Sequence, residues 1–561
     1  MYTTAVVAQK RRFLQIHSDD NVLVALSDLS AGERIDFKDY AFDLPQSVTA
    51  KHKFTLTDLA PGDPVRMYGV LVGRATQAVP LGGRLHTDNL RNDHTAPALS
   101  GQRRAWTAPD ISAWQNRSFQ GYHRADGSVG TANYWVVVPL VFCENRNLEL
   151  LREALLDELG YAPPQPYTAL VRQLKDQWLA GGSPEEVQAL DFSENLKNGL
   201  SGASKRVFPH VDGIKFLAHD GGCGCTRQDS DALCGLLAGY ITHPNVAGAT
   251  VLSLGCQHAQ FEVLQHEIQR RSPRFDKPLY FFEQQKMGLG KNLLTEAIKA
   301  TFAGLAAANQ CRRAPAPLSK LCIGLECGGS DGFSGISANP ALGHAADLVA
   351  ALGGSVILSE FPELLGVEQE LCDRCADDET AARFLQLMRD YNARAHAAGS
   401  GFDMNPSPGN IRDGLITDAL KSAGAARKGG NSPVTDVLDY PEKVTRPGLN
   451  LLCTPGNDVE STTAEVGAGA NIVLFTTGLG TPTGNPIAPV IKIATNTALF
   501  HKMPDIMDLD TGSIIAGEET IEAAGERILD FAIRVASGEI LPKAVLLGQD
   551  DFIVWKRGVS L

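Results

Sequence analysis

Along residues 1–98 apolar and polar positions alternate in short runs, as in NVLVALSDL and PVRMYGVLVGRATQ, broken by AGER, APGDP and PLGGR. A period of two between glycine- and proline-marked turns predicts a small β-rich domain. Residues 91–118, RNDHTAPALSGQRRAWTAPDISAWQNRS, carry no period, so the domain is expected to end there, with a linker over 99–118. Next, YWVVVPLVF reads as a buried strand and 145–205 as mainly helical. From residue 213 strands and helices alternate: GIKFLAH precedes DSDALCGLLAGYI, GATVLSLG precedes FEVLQHEIQRR, PLYFFEQ precedes KNLLTEAIKATFAGLAAAN, and LCIGLE precedes PALGHAADLVAALGG. After a less regular stretch, 370–446, the theme returns in GLNLLCTPGN, TTAEVGAGA and NIVLFTTGLG. The pattern predicts an α/β protein: the β-rich domain, then two α/β domains, 119–312 and 313–561, with mainly parallel sheets.

Composition narrows the class. A chain of 561 residues exceeds one ordinary core. With 43% hydrophobic and 20% charged residues it reads as globular, and a net charge of −13 opposes binding to nucleic acid or anionic lipid. The start, MYTTAVVAQKRRFLQIHSDDN, lacks the apolar core of a signal peptide, and no run of about 18 apolar residues occurs, so a cytoplasmic protein without a membrane span is expected. Eleven cysteines, an odd number, then argue for free thiols or metal ligands over disulfides. Cys234, Cys311, Cys322 and Cys453 lie in apolar surroundings and read as core; the CxxC of Cys372 and Cys375 reads as incidental.

Open parallel sheets bind ligands beyond the carboxyl ends of their strands. The predicted strands are followed by His219 with Cys223 and Cys225, by Cys256 with Gln257 and His258, by Glu283, by Cys327 with Ser330 and Asp331, by Glu360, and by Asn457 with Asp458. Turns use glycine freely but seldom gather cysteine, histidine and carboxylates, so a site is expected there. The stretch HDGGCGCTRQD, residues 219–229, admits several readings. Its C-x-C spacing is too tight for a structural zinc pair. Cys223, Cys256 and Cys327 would suit an iron–sulfur cluster with one open iron. The N–H groups of Gly222, Cys223, Gly224 and Cys225 ahead of a helix would cradle an anion, with Arg227 as a fork for a carboxylate and His219 as acid or base. Alternatively the glycines only turn the corner and the cysteines pack. In the β-rich domain His17, His52 and His86, with Asp19, Asp20 and Asp88, offer nitrogen and oxygen ligands for divalent iron, manganese or zinc, or serve as solvated turn residues.

Several strings resemble the altronate and galactarate dehydratase family. IHSDDNVLVAL, KHKFTLTDLAPGDPV and YGVLVGRATQ are similar to its N-terminal SAF domain. AHDGGCGC, LAGYITHPNVAGATVLSLGCQ, ECGGSDGFSGISANPALG, NPSPGN, KGGNSPVTDVLDY, LLCTPGNDVESTTAEVGAGANIVLFTTGLGTPTG and PVIKIATN resemble its later domains, in order over nearly the whole chain. TANYWVVVPLVFCENRN, the long helical stretch 147–205 and MDLDTG depart from the family pattern, which bears on substrate preference. The resemblance implies a hydro-lyase that dehydrates a sugar acid, D-altronate foremost or galactarate, to a 2-keto-3-deoxy acid. It also implies a divalent metal, Fe2+ or Mn2+ in its place. A small-molecule partner and a homodimer are expected.

That chemistry needs a stabilised enediolate, a base for the proton α to the carboxylate and an acid for the departing 3-hydroxyl. The candidates are His17, His52, His219 and Asp331 for catalysis, and His17, Asp20, His86 and Cys327 for the metal. For the substrate they are Lys53, the Gly222–Cys225 amides with Arg227, Gly328, Gly329, Ser330, Lys428, Asn457, Asp458 and Thr477. A non-catalytic sugar-acid sensor is the alternative from another class.

Overall fold

The alternating runs of the first domain fold as antiparallel strands, described in a computed structural model that covers residues 11–99, 101, 103–162, 166–191 and 205–560. Phe13–Leu14, Val22–Ala25 and Lys53–Thr55 form one sheet, Pro64–Met67, Val70–Ala75 and Leu90–Arg91 another, and Arg34–Phe37 pairs with Tyr40–Asp43. Leu23, Ile35, Val48 and Phe54 close a small core between them. Residues 1–10 and the end of the expected helical run, 192–204, lie outside the described residues.

The second unit is built on a parallel sheet in the order Gly213–Phe216, Tyr134–Pro139, Val246–Ser253, Leu279–Glu283. Val246–Ser253 is buried throughout, as a strand covered on both faces must be. Helices Asn145–Leu159, Arg227–Thr242, Phe261–Arg271 and Gly290–Ala308 flank it. Arg313–Pro317 returns to pair antiparallel with Ser118–His123.

The C-terminal unit carries a seven-stranded sheet in the order Val434–Leu438, Gly448–Leu452, Ser355–Leu358, Cys322–Cys327, Ile472–Thr477, Val490–Ala494, Leu509–Asp510, with every neighbouring pair parallel. From Cys322–Cys327 the chain first winds to one side, through Ser355–Leu358, and later returns to the other side at Ile472–Thr477. The crevice beyond Cys327 is therefore a topological switch point, where such sheets hold ligands. The stretch 370–446 is more regular than its composition suggests. It includes the helix Asp378–Ala397, whose cap Asp377 accepts the Thr380 N–H. The narrow stripe Ala381, Phe384, Leu385 and Met388 is diluted by charged residues, which hides the period in the sequence.

Two histidines tie loops of the second unit to the fold. His243 donates or accepts at both ring nitrogens, to Ala470 O at 3.0 Å and from Asn245 N–H at 3.1 Å. Burial lowers its pKa to about 3, and burial likewise lowers that of His219 to about 4. Both are neutral in the folded chain but protonate below pH ~6.5 when unfolded, so the unfolded state binds more protons. Urea unfolding is expected to show stability falling from pH 6.5 towards 4, by up to about 1.4 kcal/mol per pH unit for each group. A flat profile over that range would contradict these burials.

Candidate active site

Two acidic residues and a cysteine follow from where the central strands end. Glu326 and Cys327 finish the strand Cys322–Cys327, and the neighbouring strand Ser355–Leu358 runs into Glu360, which adopts φ 61, a left-handed conformation rarely taken by a side chain of this size. The turn that follows brings in Glu363. The ligand atoms of Cys327, Glu360 and Glu363 all lie within 4.8 Å of one another, and so do those of Glu326, Glu360 and Asp458. Gly328 gives Asp458 its room, since a Cβ there would stand 1.9 Å from Asp458 Oδ2.

Lysines reach in from behind. Lys428 Nζ donates to Cys327 Sγ at 3.0 Å and to Glu360 Oε2. Lys421 Nζ donates to Glu363 Oε1 at 2.6 Å and to Asn405 Oδ1 at 2.9 Å. Lys492 Nζ donates to Thr483 Oγ1 at 2.8 Å and sits 3.5 Å from the Phe475 ring centre. A cavity of about 540 Å³ opens against this cluster, its wall including Cys327, Gly328, Glu363, Asn410, Lys421 and Asp458.

Burial and mutual repulsion sort the protonation states. Burial, with Glu360 and Glu465 beside it, holds Glu326 well above the usual carboxylate range. Glu465 is pushed up to about 8, mainly by burial. For Glu363 burial acts upward but Lys421 and Lys428 outweigh it, and the carboxyl ends below its ordinary value. Asp458 rises to about 7, through burial and then through Glu360 and Glu363. A carboxyl poised near neutrality on a cavity wall is suited to proton transfer.

Behind the glycine loop 328–330, Asp331 is fully buried in a polar web. Its Oδ1 accepts from Thr495 Oγ1 at 3.0 Å, Ser334 Oγ at 3.1 Å and the Phe333 N–H at 3.2 Å, and its Oδ2 pairs with Lys51 Nζ at 3.0 Å. Lys51 comes from the N-terminal domain and also holds Asp413 at 2.8 Å. Lys53 is buried beside it, donating to Lys51 O and Gly414 O at 2.9 and 2.7 Å, and burial lowers its pKa to about 7. The β-rich domain thus docks on the loops at the carboxyl edge of the seven-stranded sheet.

Of the residues expected to act, Cys327, Gly328, Gly329 and Asp458 line the cavity. Ser330 is buried, its carbonyl accepting from Asn410 Nδ2 at 2.7 Å. Lys428 is buried in the ion cluster, Asn457 caps the helix Asp458–Ala468, and Thr477 Oγ1 accepts the Gly480 N–H at 3.0 Å. The three histidines do not form one centre. His17 lies beyond the start of the strand Val22–Ala25, whereas His52 lies at its far end, its carbonyl accepting the Ala25 N–H, and there neighbours His86 because Leu85 N–H bonds Lys53 O. His17 and His86 each accept, at Nδ1, the N–H two residues on, from Asp19 and Asp88, a local turn role. Asp20 accepts the His17 and Gly69 N–H groups. Cys327, in the other unit, shares no group with them, so the expected set of His17, Asp20, His86 and Cys327 is not assembled.

His219 is also committed, its Nε2 bonded to Pro139 O at 2.7 Å and its Nδ1 accepting the Gly221 N–H at 3.1 Å, which leaves the ring no free nitrogen. The loop after it folds under the chain's own end. Asp229 accepts the Arg557 and Gly558 N–H groups, Cys225 bridges to Ser560, and Arg227 is exposed on the first turn of its helix. Gly222, at φ 97, is pressed against Leu140 O, which a Cβ would approach to 2.1 Å. Gly222→Ala is expected to cost about 2–3 kcal/mol in urea unfolding; a neutral result would mean that the loop relaxes freely. The sequence reading passed over Glu326, Glu363, Lys421, Lys492, Lys51 and Asp413. Glu363, three residues after Glu360 in EFPEL, was the most accessible of these signals.

A β domain clamped on a doubly wound sheet, with carboxylates, a thiol and lysines round a cavity at the switch point, defines a multidomain protein with the side chains of an enzyme site. The domain models agree. Residues 11–93 match "Altronate/galactarate dehydratase SAF domain", 121–309 "D-galactarate dehydratase/Altronate hydrolase, second domain", and 318–560 "D-galactarate/Altronate dehydratase, C-terminal". Altronate dehydratase of Bacillus subtilis (strain 168) is 32% identical over 98% of this chain and 100% of its own length. Altronate dehydratase of Escherichia coli (strain K12) is 33% identical over the same shares, and galactarate dehydratase (L-threo-forming) of that organism is 30% identical over 94% and 93%. The chain belongs to the altronate/galactarate dehydratase family and is a hydro-lyase of that type. No helix among the described residues is long and apolar enough to cross a membrane.

Proposed function

We propose that this chain dehydrates an aldonate, altronate, to a 2-keto-3-deoxy acid in the cavity beyond Cys327. The observation that carries this reading is the cavity's charge. Among the described residues that line it, Lys421 is the one cationic side chain, which suits a substrate with one carboxylate better than an aldarate with two. The full-length likeness to two altronate dehydratases supports the same choice.

Asp458 is the proton-transfer group. With its pKa near 7 both forms are populated at neutral pH. The ionised carboxylate accepts the C2 proton, and the carboxylic acid so formed gives it to the 3-hydroxyl, which leaves as water; the enol product then tautomerises to the ketone. Lys421 faces the substrate carboxylate, and the Gly328–Gly329 loop lets the sugar acid approach the backbone.

The donor set fits a divalent cation. Cys327, Glu360 and Glu363 converge, and Oε1 of Glu360 is buried with no hydrogen-bond partner among the described residues. These three would hold Fe2+ or Mn2+, whose Lewis acidity, when bound, stabilises charge on the substrate carboxylate.

The test is release of a keto acid, read by semicarbazide or thiobarbiturate, from a panel of aldonates and aldarates with ferrous iron or with chelator. Altronate is expected to react fastest, and only without chelator. No keto acid from any member would sink the reading, and faster turnover of galactarate would move the substrate.

A further inference from the structure

The three loops at the carboxyl edge of the four-stranded sheet each carry a free cysteine: Cys143 after Tyr134–Pro139, Cys223 after Gly213–Phe216, and Cys256 after Val246–Ser253. These strands are adjacent, with Tyr134–Pro139 between the other two. Main-chain bonds stitch the loops together beside the thiols. Phe142 N–H donates to Gly221 O at 3.1 Å, and Gly222 O accepts from the N–H groups of His258 at 2.9 Å and Ala259 at 3.1 Å. A Cβ on Gly222 would also stand 2.8 Å from Val141 Cα. Each cysteine thus lies within two residues of a contact between loops.

The earlier trio of Cys223, Cys256 and Cys327 does not survive this topology, because Cys327 ends a strand of the other sheet and is bonded to Lys428. Cys143, which the sequence left unmarked, stands in its place. Its exposure and that of Cys256 are high and that of Cys223 intermediate, unlike the buried Cys225, whose Sγ lies 3.2 Å from Ser230 Oγ.

We propose that Cys143, Cys223 and Cys256 bind an iron–sulfur cluster of the four-iron class, with one iron left free of protein ligands. Three further observations support this choice. Helices Asn145–Leu159, Arg227–Thr242 and Phe261–Arg271 all begin just after these cysteines, so three positive helix ends favour an anionic group there. Beside Cys143, the buried Oε1 of Glu144 and Oδ1 of Asn145 lack hydrogen-bond partners among the described residues, so the loop folds with polar capacity to spare. Finally, the groups whose ligand atoms lie mutually within 4.8 Å are, among the described residues, the two carboxylate clusters of the other unit. The three thiols are not such a group, so a single mononuclear ion is not what they would share.

The full-length protein, purified without oxygen, would be reconstituted with ferrous iron, sulfide and dithiothreitol, desalted, and assayed for iron and acid-labile sulfide. About four acid-labile sulfides and four to five irons per chain are expected, the fifth iron being the one held by Cys327, Glu360 and Glu363, with C143S, C223S and C256S each losing more than half of the sulfide and C311S retaining it. Iron without sulfide, no retained iron, or full loading of the triple serine variant would overturn the proposal. Should a serine variant fail to fold by circular dichroism, iodoacetamide labelling of the wild-type protein decides. Cluster loading is expected to protect these three cysteines at least fivefold more than Cys311, and equal protection counts against the site. None of these readouts depends on turnover of altronate, so this inference and the proposed reaction fail separately.

Discussion

Asp458→Asn is expected to lower kcat on altronate by about 10²- to 10⁴-fold, the usual contribution of a positioned acid or base, while KM stays within a few-fold. The amide keeps the shape of the carboxyl and cannot take the C2 proton. In the proposed mechanism the form that starts the cycle is the ionised one, and burial with its acidic neighbours has raised the pKa to about 7. The sign follows: kcat/KM rises as the pH climbs through about 7 and levels off above it. Steady-state kinetics from pH 5.5 to 9 measure both effects. An Asn variant within threefold of wild type, or a wild-type profile flat across 7, removes Asp458 from the mechanism.

Lys428→Met is expected to destabilise the chain by about 3–5 kcal/mol, the range for removing one partner of a buried ion pair. Lys428 is 1% exposed, and its ammonium is the counter-charge of Glu360 and also donates to the Cys327 thiol. Without it Glu360 is left as a buried anion that protonation relieves. The deficit in urea unfolding should therefore be smaller at pH 5.5 than at pH 8. Adding Glu360→Gln removes the orphaned charge, so the double variant is expected to lose less than the single one. A loss below 1 kcal/mol at pH 8 would show that the cluster does not rely on this lysine.

Much of the fold could be read directly because burial dictates pattern. Val246–Ser253 and Ile472–Thr477 are buried at every position, and such strands appear in sequence as unbroken apolar runs followed by glycine turns and helices. The helix Asp378–Ala397 was harder, since one apolar stripe on a charged helix leaves little trace. At the site, Cys327 and Asp458 were visible as chemistry placed just after strands. Lys421 was not, because it lies on the short helix Asp418–Ala425, far from any strand end, and reaches Glu363 only through the winding of the chain. The histidines misled for a related reason. His17 and His86 stand in similar short motifs, HSDDN and HTDN, where each ring closes its own turn, and similarity in sequence reflected a repeated turn, not a shared centre.

The order of residues by itself determined the family, the alternation of strands and helices, and the places where glycine and reactive side chains follow a strand, since each depends on near neighbours and on which faces must avoid water. Which of those places meet was decided by the order of strands within each sheet. That order separated Cys327 from Cys223 and Cys256, set Cys143 beside them, and enclosed Glu326, Glu360 and Asp458 together. Strand order comes from long-range packing, and only there do distant carboxylates come close enough, out of water, to shift one another's protons.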